Sequence, residues 1–230
     1  MYNIKDLRGT IFCPPIRYSK EFVAALSEVA NDYIPVIVRD NGALPVLPIW
    51  QLSSPDEREM ILFNGEKIDL VQRIEHEIDD NAIHAFAERS IVVFSKVLEV
   101  ANVICTRIAL APSVIITEKG AKPSALYNKL FSINSFEGTK LDTSNLSQVY
   151  RVNKTIREKD IKINYVSNFR LENELVNLNG INQMRERYMG DFDINTMVNP
   201  EYKFFVDDVK EFFKLSPSMF ASFYNLYFGE

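Results

Sequence analysis

The alternation of apolar and polar residues in the first third of the chain predicts a sheet built from hairpins. Two Asn-Gly pairs, Asn41-Gly42 and Asn64-Gly65, lie between apolar runs rich in β-branched residues. Asn-Gly is a strong hairpin signal because a type I′ turn needs positive φ at both of its central positions. The runs that we expect to form an antiparallel meander are 34–40, 43–51, 59–63 and 66–72.

The second Asn-Gly pair also predicts a register for its two strands. With a two-residue loop, Phe63 faces Glu66 and Ile61 faces Ile68. Because neighbouring residues of a strand project to opposite sides, the two faces of this hairpin differ in polarity. One face carries Ile61, Phe63, Ile68 and Leu70, and the other carries Met60, Leu62, Lys67 and Asp69.

More strands are predicted in the second half of the chain. The β-branched run 103–117 and the alternating segment 184–196 each have the pattern of a strand. A third hairpin is expected to turn over residues 157–160, with Ile156 opposite Ile161 and Val152 opposite Tyr165.

Helical spacing and capping residues predict helices in the first two thirds of the chain. Ser19 is a typical N-cap ahead of a short helix. Apolar residues recur at helical spacing over 80–101, behind Asp79 or Asp80 as the cap. A short helix is expected to follow, with Pro123 in its first turn.

Two more helices are expected at the C-terminus. Asn199-Pro200-Glu201 and Ser216-Pro217 each place a capping side chain before a proline. Because no regular βαβ rhythm joins the strands, the chain is predicted to be α+β, with a mostly antiparallel sheet packed by a long central helix and two C-terminal helices. We expect one domain over 1–230, with a possible minor subdivision near 132–145.

Glycine is scarce, and its spacing excludes several common functional motifs. The chain has 8 glycines among 230 residues, and the closest two are Gly180 and Gly190. The GxGxxG, Walker A and GxSxG motifs all need glycines closer together than that. The common nucleotide-binding and hydrolase signatures are therefore absent from the sequence.

Charge and cysteine content narrow the class of protein further. The net charge is −5, which argues against binding to duplex nucleic acid. A locally basic stretch leaves weak RNA binding as an alternative, through Arg151, Lys154, Arg157, Lys162 and Arg170. The two cysteines, Cys13 and Cys105, match no zinc or disulfide pattern, and no apolar stretch reaches the length of a membrane span. We expect a cytoplasmic protein with no membrane contact.

Two groups of side chains could carry chemistry. His76, Asp80, His84 and Glu88 are spaced by four, so a helix would align them, and His84 and Glu88 are the candidate metal ligands. A solvated helix face is the favoured interpretation, because one helix rarely supplies more than two neighbouring ligands.

The second group lies on a predicted strand. Asp191, Asp193 and Asn195 project to one side of it, where neighbouring carboxylates can hold Mg²⁺ or act as an acid–base pair. Arg185 and Arg187 share that side, so an ion-paired polar face explains the same residues without catalysis.

The C-terminal tail has a surplus of aromatic residues, ten within 202–228. Core packing explains an all-round apolar helix most simply. A contact surface is the alternative, because Tyr and Phe are enriched at interface cores. The residues expected to form that interface are Phe220, Phe223, Tyr224, Tyr227 and Phe228.

The order of several segments resembles a sporadically distributed bacterial family of uncharacterised proteins. The resemblance rests on Trp50, the strands 61–63 and 68–71, the run 107–110, the run 193–196 and the aromatic tail. It implies an α+β fold and a bacterial, soluble protein, and it brings no functional residue with it.

The sequence therefore favours a non-catalytic interaction or assembly subunit that contacts itself or another protein and uses no cofactor. Two alternatives remain open. One is a metal-dependent phosphoester hydrolase that uses Asp191 and Asp193, and the other is a weak RNA-binding module.

Overall fold

The computed structural model describes residues 2–38, 49–74, 81–116, 135–136, 138–140, 148–178 and 181–228. Its helices are α1 (Lys20–Ala25), α2 (Ser27–Ala30), α3 (Asn81–Ala101) and α4 (Val206–Phe228). Its strands are β1 (Tyr2–Phe12), β2 (Ile34–Val38), β3 (Ile49–Ser53), β4 (Glu59–Asn64), β5 (Lys67–Arg73), β6 (Arg107–Ile116), β7 (Ser135–Phe136), β8 (Thr139–Lys140), β9 (Gln148–Ile156), β10 (Lys159–Leu178) and β11 (Ile181–Thr196).

Nine of these strands form one antiparallel sheet, which confirms the predicted α+β class. The order across the sheet is β2-β3-β4-β5-β1-β6-β11-β10-β9. The predicted meander is present as β2 to β5 at one side. The two short strands β7 and β8 pair separately.

Both predicted hairpin registers are wrong by two residues: the β4–β5 turn lies one residue further along the chain, and the β9–β10 turn is tighter than expected. Phe63 lies opposite Ile68 because Gly65 and Glu66 form the turn, with Gly65 at a φ of +59°. Ile156 lies opposite Lys159 because Arg157 adopts a φ of +46°, which allows a two-residue turn. A shift of two keeps each side chain on its predicted face, so the apolar face of the β4–β5 hairpin is as expected.

The central strand β1 does not follow a simple alternation in the sequence. Ile4 lies opposite Val114, whereas Asp6 lies opposite Ser113, so Lys5 is the extra residue of a β-bulge. Without the bulge, Ile4 and Asp6 would share a face. The bulge sends Ile4 into the core and Asp6 to the opposite face, and it breaks the period of two that would have revealed the strand.

The helices α3 and α4 cover one face of the sheet. Gly9 of β1 lies beneath both of them, and a Cβ atom there would come within 3.1 Å of Phe94 and 3.2 Å of Phe213. A larger residue at this position would hold the helices away from the sheet. Ser19 caps α1 as predicted, since its side chain accepts a hydrogen bond from the Phe22 amide.

The predicted C-terminal helical region is present as one continuous helix that begins later than expected. The backbone of Phe204 pairs with that of Cys105 through two hydrogen bonds of 2.8 and 3.0 Å, so it is extended rather than helical. Helix α4 starts at Val206. Near this start, the Asp208 carboxylate accepts a hydrogen bond from the Phe205 amide and forms an ion pair with Lys159.

Pro217 does not divide this helix in two. A proline within a helix removes the amide that would bond to the carbonyl four residues earlier, here that of Phe213. The Ser216 hydroxyl donates to the same carbonyl at 2.8 Å. The replacement donor allows Ser216-Pro217 to lie inside α4 rather than at the start of a new helix.

The aromatic tail forms part of the core. Phe220, Phe223, Tyr224 and Tyr227 are buried, and Phe228 is half-buried against them. Phe192 of β11 lies among these rings, with centroid distances of 5.4 Å to both Phe220 and Phe223. These side chains are not available as a surface in the folded chain, so the interface predicted for them is wrong.

Several predictions concern residues outside the described ranges. These are the Asn41-Gly42 hairpin, the caps Asp79 and Asp80, the ligand candidate His76, the helix at Pro123 and most of the segment 132–145.

Replacement of Phe223 by Ala should destabilise the chain by about 3–5 kcal/mol, because it empties a ring-sized space in the core. Replacement of the exposed Asn225 in the same helix should change the free energy of unfolding by less than about 0.5 kcal/mol. Urea unfolding of both variants measures the difference. Unchanged stability of Phe223→Ala together with lost self-association would instead support the interface.

Candidate functional site

A pocket opens on the face of the sheet that α3 and α4 do not cover. Its volume is about 510 Å³. We call it the polar-face pocket, and its lining residues are Asp6, Arg8, Ala111, Ser113, Val166, Asn168, Asp191, Phe192 and Asp193. The lining comes from four adjacent strands, β1, β6, β11 and β10. Both strand carboxylates that the sequence singled out are therefore part of one cavity.

The strand register arranges these side chains in two rows. The serine row runs across the sheet as Asp6, Ser113, Asp191 and Asn168, each opposite the next. The alanine row, two residues along each strand, runs as Arg8, Ala111, Asp193 and Val166. Asp193 takes its place opposite Ala111 because the pairings Asp191–Ser113 and Ile194–Leu110 on either side share one register.

Small residues on β6 make room for the pocket. Ala111 and Ser113 lie between the charged residues of β1 and those of β11. Adjacent strands are about 4.8 Å apart, so charged side chains on β1 and β11 face each other across roughly 10 Å. Only the small side chains of β6 lie between them.

Asp191 is held as part of a polar network. The Ser113 hydroxyl donates a hydrogen bond of 2.7 Å to its Oδ1 atom, and the Arg170 guanidinium forms an ion pair with its Oδ2 atom. The predicted alternative of an ion-paired polar face is thus correct for Asp191, although its partner is Arg170. The side chains of Arg185 and Arg187 lie outside the described part of the chain.

Asp193 is in a different environment. Burial raises the pKa of its carboxyl group, while a hydrogen bond with Asn195 and the positive charge of Arg107 lower it by less. Its Oδ1 atom is buried and has no hydrogen-bond partner among the described residues. Asp193 therefore differs from Asp191, both of whose oxygens have partners.

Arg107 is the cation that acts on Asp193 from β6. Its guanidinium lies 5.0 Å from the centre of the Phe12 ring. Its Nε atom is buried and makes no hydrogen bond within the described ranges. Arg107 thus contributes positive charge to this side of the pocket without neutralising Asp193 in a close ion pair.

The sequence pattern did not identify Asp6 and Arg8 as site residues. Neither side chain has a hydrogen bond or an ion pair within the part of the chain that the structure describes. Arg8 is exposed and Asp6 is half-buried. One pattern could have revealed this polar face of β1, on which Asp6, Arg8 and Thr10 alternate with Leu7, Gly9 and Ile11 of the other face. The bulge at Lys5 obscured where that alternation begins.

The candidate metal ligands His84 and Glu88 lie on the surface of α3. His84 and Glu88 are both exposed, one turn apart. Over the described residues, no group of three or more His, Cys, Asp or Glu side chains is placed to hold a metal ion. The favoured prediction of a solvated helix face agrees with this exposure.

The basic stretch predicted for RNA is divided between surfaces. Arg151, Lys162 and Arg170 lie on the same face of the sheet as the pocket, with Arg151 opposite Asn164 of β10. Lys154 lies opposite Ile161, a core residue on the helix-covered face. Arg157 lies in the turn and pairs with Asp207 of α4 at 3.2 Å. These five cations therefore do not form one continuous surface.

The two cysteines are buried and free. Burial raises the pKa of Cys13 to about 12 and raises that of Cys105 as well. Both thiols are therefore protonated at neutral pH, which excludes a role as a reactive thiolate.

No protein-family model matches the chain, and no curated protein matches it in sequence. Among the described helices, none combines the length and the apolar character that crossing a membrane requires.

Asp193→Asn should stabilise the folded chain at neutral pH by about 0.5–2 kcal/mol, the usual range for a stabilising substitution. Folding raises the pKa of the Asp193 carboxyl group above its value in the unfolded chain. The stability that the protonated carboxyl group contributes is therefore present below the unfolded pKa and is lost as pH rises through the folded pKa. The neutral amide avoids that loss, so the gain should grow as pH rises from about 4.

Thermal unfolding at several pH values measures this difference. Asp191→Asn is the matched control, and it should lower the stability slightly because it breaks the ion pair with Arg170. A destabilised Asp193→Asn at neutral pH would contradict the account of the Asp193 environment.

Proposed function

We propose that the protein binds a small zwitterionic molecule in the polar-face pocket. The observation that supports this best is the pair Asp6 and Arg8, two opposite charges in one cavity without a partner among the described residues. Two opposite charges that line one cavity suit a ligand that carries the complementary charges.

The two rows give the ligand a direction. Arg8 belongs to the alanine row and would bind an anionic group above Ala111. Asp6 belongs to the serine row and would bind an ammonium or another donor near Ser113. Residues i and i+2 of a strand are roughly 6.5–7 Å apart, so the ligand should hold its opposite charges at a comparable distance. The cavity volume is within the range usual for small-molecule sites.

A metal-dependent phosphoester hydrolase remains the second candidate, because Asp191 and Asp193 line the same cavity. Mg²⁺ keeps several waters and can be bound through one or two carboxylates. However, Ser113 and Arg170 already engage both oxygens of Asp191. The zwitterion is therefore the better supported ligand, and Mg²⁺ serves as a competing probe.

We also propose a cytoplasmic location, which the two buried, free thiols support, since such thiols are typical of reducing compartments.

The charge requirement can be tested with three matched probes: δ-aminovalerate, valerate and pentylamine. The first carries both charges, and the others carry one each on the same chain. We expect δ-aminovalerate to shift the amide NMR signals of residues 6–8, 111, 113 and 191–193 and to bind at least about tenfold more tightly than the others.

Arg8→Met should lower the affinity for δ-aminovalerate by about tenfold or more, because it removes the anion contact. Arg17→Met, at an exposed arginine outside the pocket, should leave it unchanged. Equal binding of all three probes, or shifts with Mg²⁺ alone, would contradict the zwitterion proposal.

Assembly with a second copy is a separate proposal, now located at strand β2. Within the described strands, β2 pairs only with β3, and Ile34, Val36 and Ile37 are all strongly exposed on it. An exposed apolar edge strand is a common site of association.

Native mass spectrometry should show a dimer of the full chain, and Ile37→Lys should convert it to a monomer. Val92→Lys, at an equally exposed apolar residue of α3, should not. A wild-type chain that is monomeric at micromolar concentrations would contradict assembly through β2.

A further inference from the structure

We propose that two copies of the chain join edge to edge through β2 about a twofold axis at Val36, so that Ile37 of each copy pairs with Pro35 of the other. This register rests on the assembly through β2 proposed above, and it specifies which residues meet. The strand consists of Ile34, Pro35, Val36, Ile37 and Val38.

The proline of β2 determines which backbone groups of the strand point outward. Pro35 has no amide hydrogen, and it lies opposite Leu52 of β3. In an antiparallel pair, opposite residues either exchange two hydrogen bonds or direct their backbone groups away from each other. If Pro35 and Leu52 were of the first kind, the carbonyl of the buried Leu52 would face a nitrogen without a hydrogen. Pro35 therefore directs its carbonyl to the outer side, as is usual for proline in an edge strand.

The alternation along the strand then defines its outer side. Because residues two apart behave alike, Ile37 also directs its N–H and C=O groups outward, whereas Ile34 and Val36 bond to β3. Within Ile34–Val38, the outer side thus offers one donor, the Ile37 amide, and two acceptors, the carbonyls of Ile37 and Pro35. Ile37 and Pro35 lie symmetrically about Val36. A second copy of the strand, turned by 180°, therefore places each Ile37 amide opposite a Pro35 carbonyl, which gives two equivalent hydrogen bonds.

An axis at Val36 is also the register that uses the whole strand. It places Ile34 opposite Val38 and Val36 opposite its own copy, so all five residues of β2 are paired. An axis at Ile37 would pair only three residues of each strand. An axis at Pro35 would place two residues without amide hydrogens opposite each other. The axis at Val36 therefore combines the largest overlap with matched donors and acceptors.

The side chains of β2 favour a second copy as the partner. Ile34, Val36 and Ile37 are 57%, 40% and 53% exposed, and the strand contains no charged residue that would select a charged peptide. In the twofold register, each of these side chains meets an apolar residue of the other copy: Ile34 meets Val38, Val36 meets Val36 and Ile37 meets Pro35. Such self-complementarity is what a contact between identical surfaces requires.

Disulfide trapping in the full chain tests the register, with diamide as the oxidant. Two copies of Val36 would have Cα atoms about 4.5 Å apart, within reach of a disulfide, whereas two copies of Ile37 would be about 8 Å apart, beyond it. We therefore expect Val36→Cys to form a covalent dimer at least about tenfold faster than Ile37→Cys. The native Cys13 and Cys105 are buried, and Val92→Cys on α3 is the control for random collisions.

A second variant tests the direction of the proline nitrogen. Pro35→Val restores an amide on the outer side of β2, where it can donate to the Ile37 carbonyl of the other copy, twice by symmetry. The dissociation constant of the dimer should then fall by about tenfold or more. Pro15→Val, at an exposed proline outside β2, should leave it unchanged. Sedimentation velocity over a dilution series measures both, and a dimer that Pro35→Val does not strengthen would contradict the register.

The outcomes separate the register from the assembly itself. A dimer in which Ile37→Cys is trapped faster than Val36→Cys would overturn the axis at Val36 and leave assembly through β2 standing. A dimer in which neither cysteine is trapped faster than Val92→Cys would overturn both, because the contact would lie elsewhere. A wild-type chain that is monomeric at micromolar concentrations would also overturn both.

Discussion

The packing of α4 on β11 is the contact on which the rest of the molecule depends. Phe192 lies within 5.4–6.3 Å of four rings of α4, and all of them are buried. Because neighbouring strand residues project to opposite faces, burial of Phe192 commits Asp191 and Asp193 to the other face. The core therefore determines where the two carboxylates lie.

The same argument applies to β1. Gly9 lets α3 and α4 approach the sheet closely, and that position fixes Arg8 on the far side. The bulge at Lys5 then adds Asp6 to the same face. With Ala111 and Ser113 as the low floor between β1 and β11, opposite charges surround a cavity instead of neutralising each other across the sheet. The pocket is a consequence of how the core is packed and of two small residues on β6.

Local signals predicted much of this fold. Asn64-Gly65, the alternation of β4 and β5, and the Ser19 cap each depend on a few neighbouring residues, so they could be recognised in the sequence. The exact registers could not, because a turn at Gly65-Glu66 and one at Asn64-Gly65 place the same side chains on the same face. The start of α4 was also missed, since the pairing of Phe204 with Cys105 is a contact between distant parts of the chain.

The part of the candidate site that depends on local sequence, the two carboxylates of β11, could be predicted. The spacing of Asp191 and Asp193 placed them on one side of a strand, but their different environments depend on Ser113, Arg170 and Arg107, which are distant in sequence. The aromatic tail shows the opposite error. Its surplus of rings suggested an interface, whereas the long strands β9 to β11 provide enough apolar surface to bury it.

The central claim is that the polar-face pocket holds a zwitterion in one orientation. A crystal structure of the chain with bound δ-aminovalerate tests it most directly. We expect the carboxylate above Ala111 between Arg8 and Asp193, and the ammonium group beside Asp6 near Ser113. A reversed orientation, or a probe bound outside this cavity, would contradict the account.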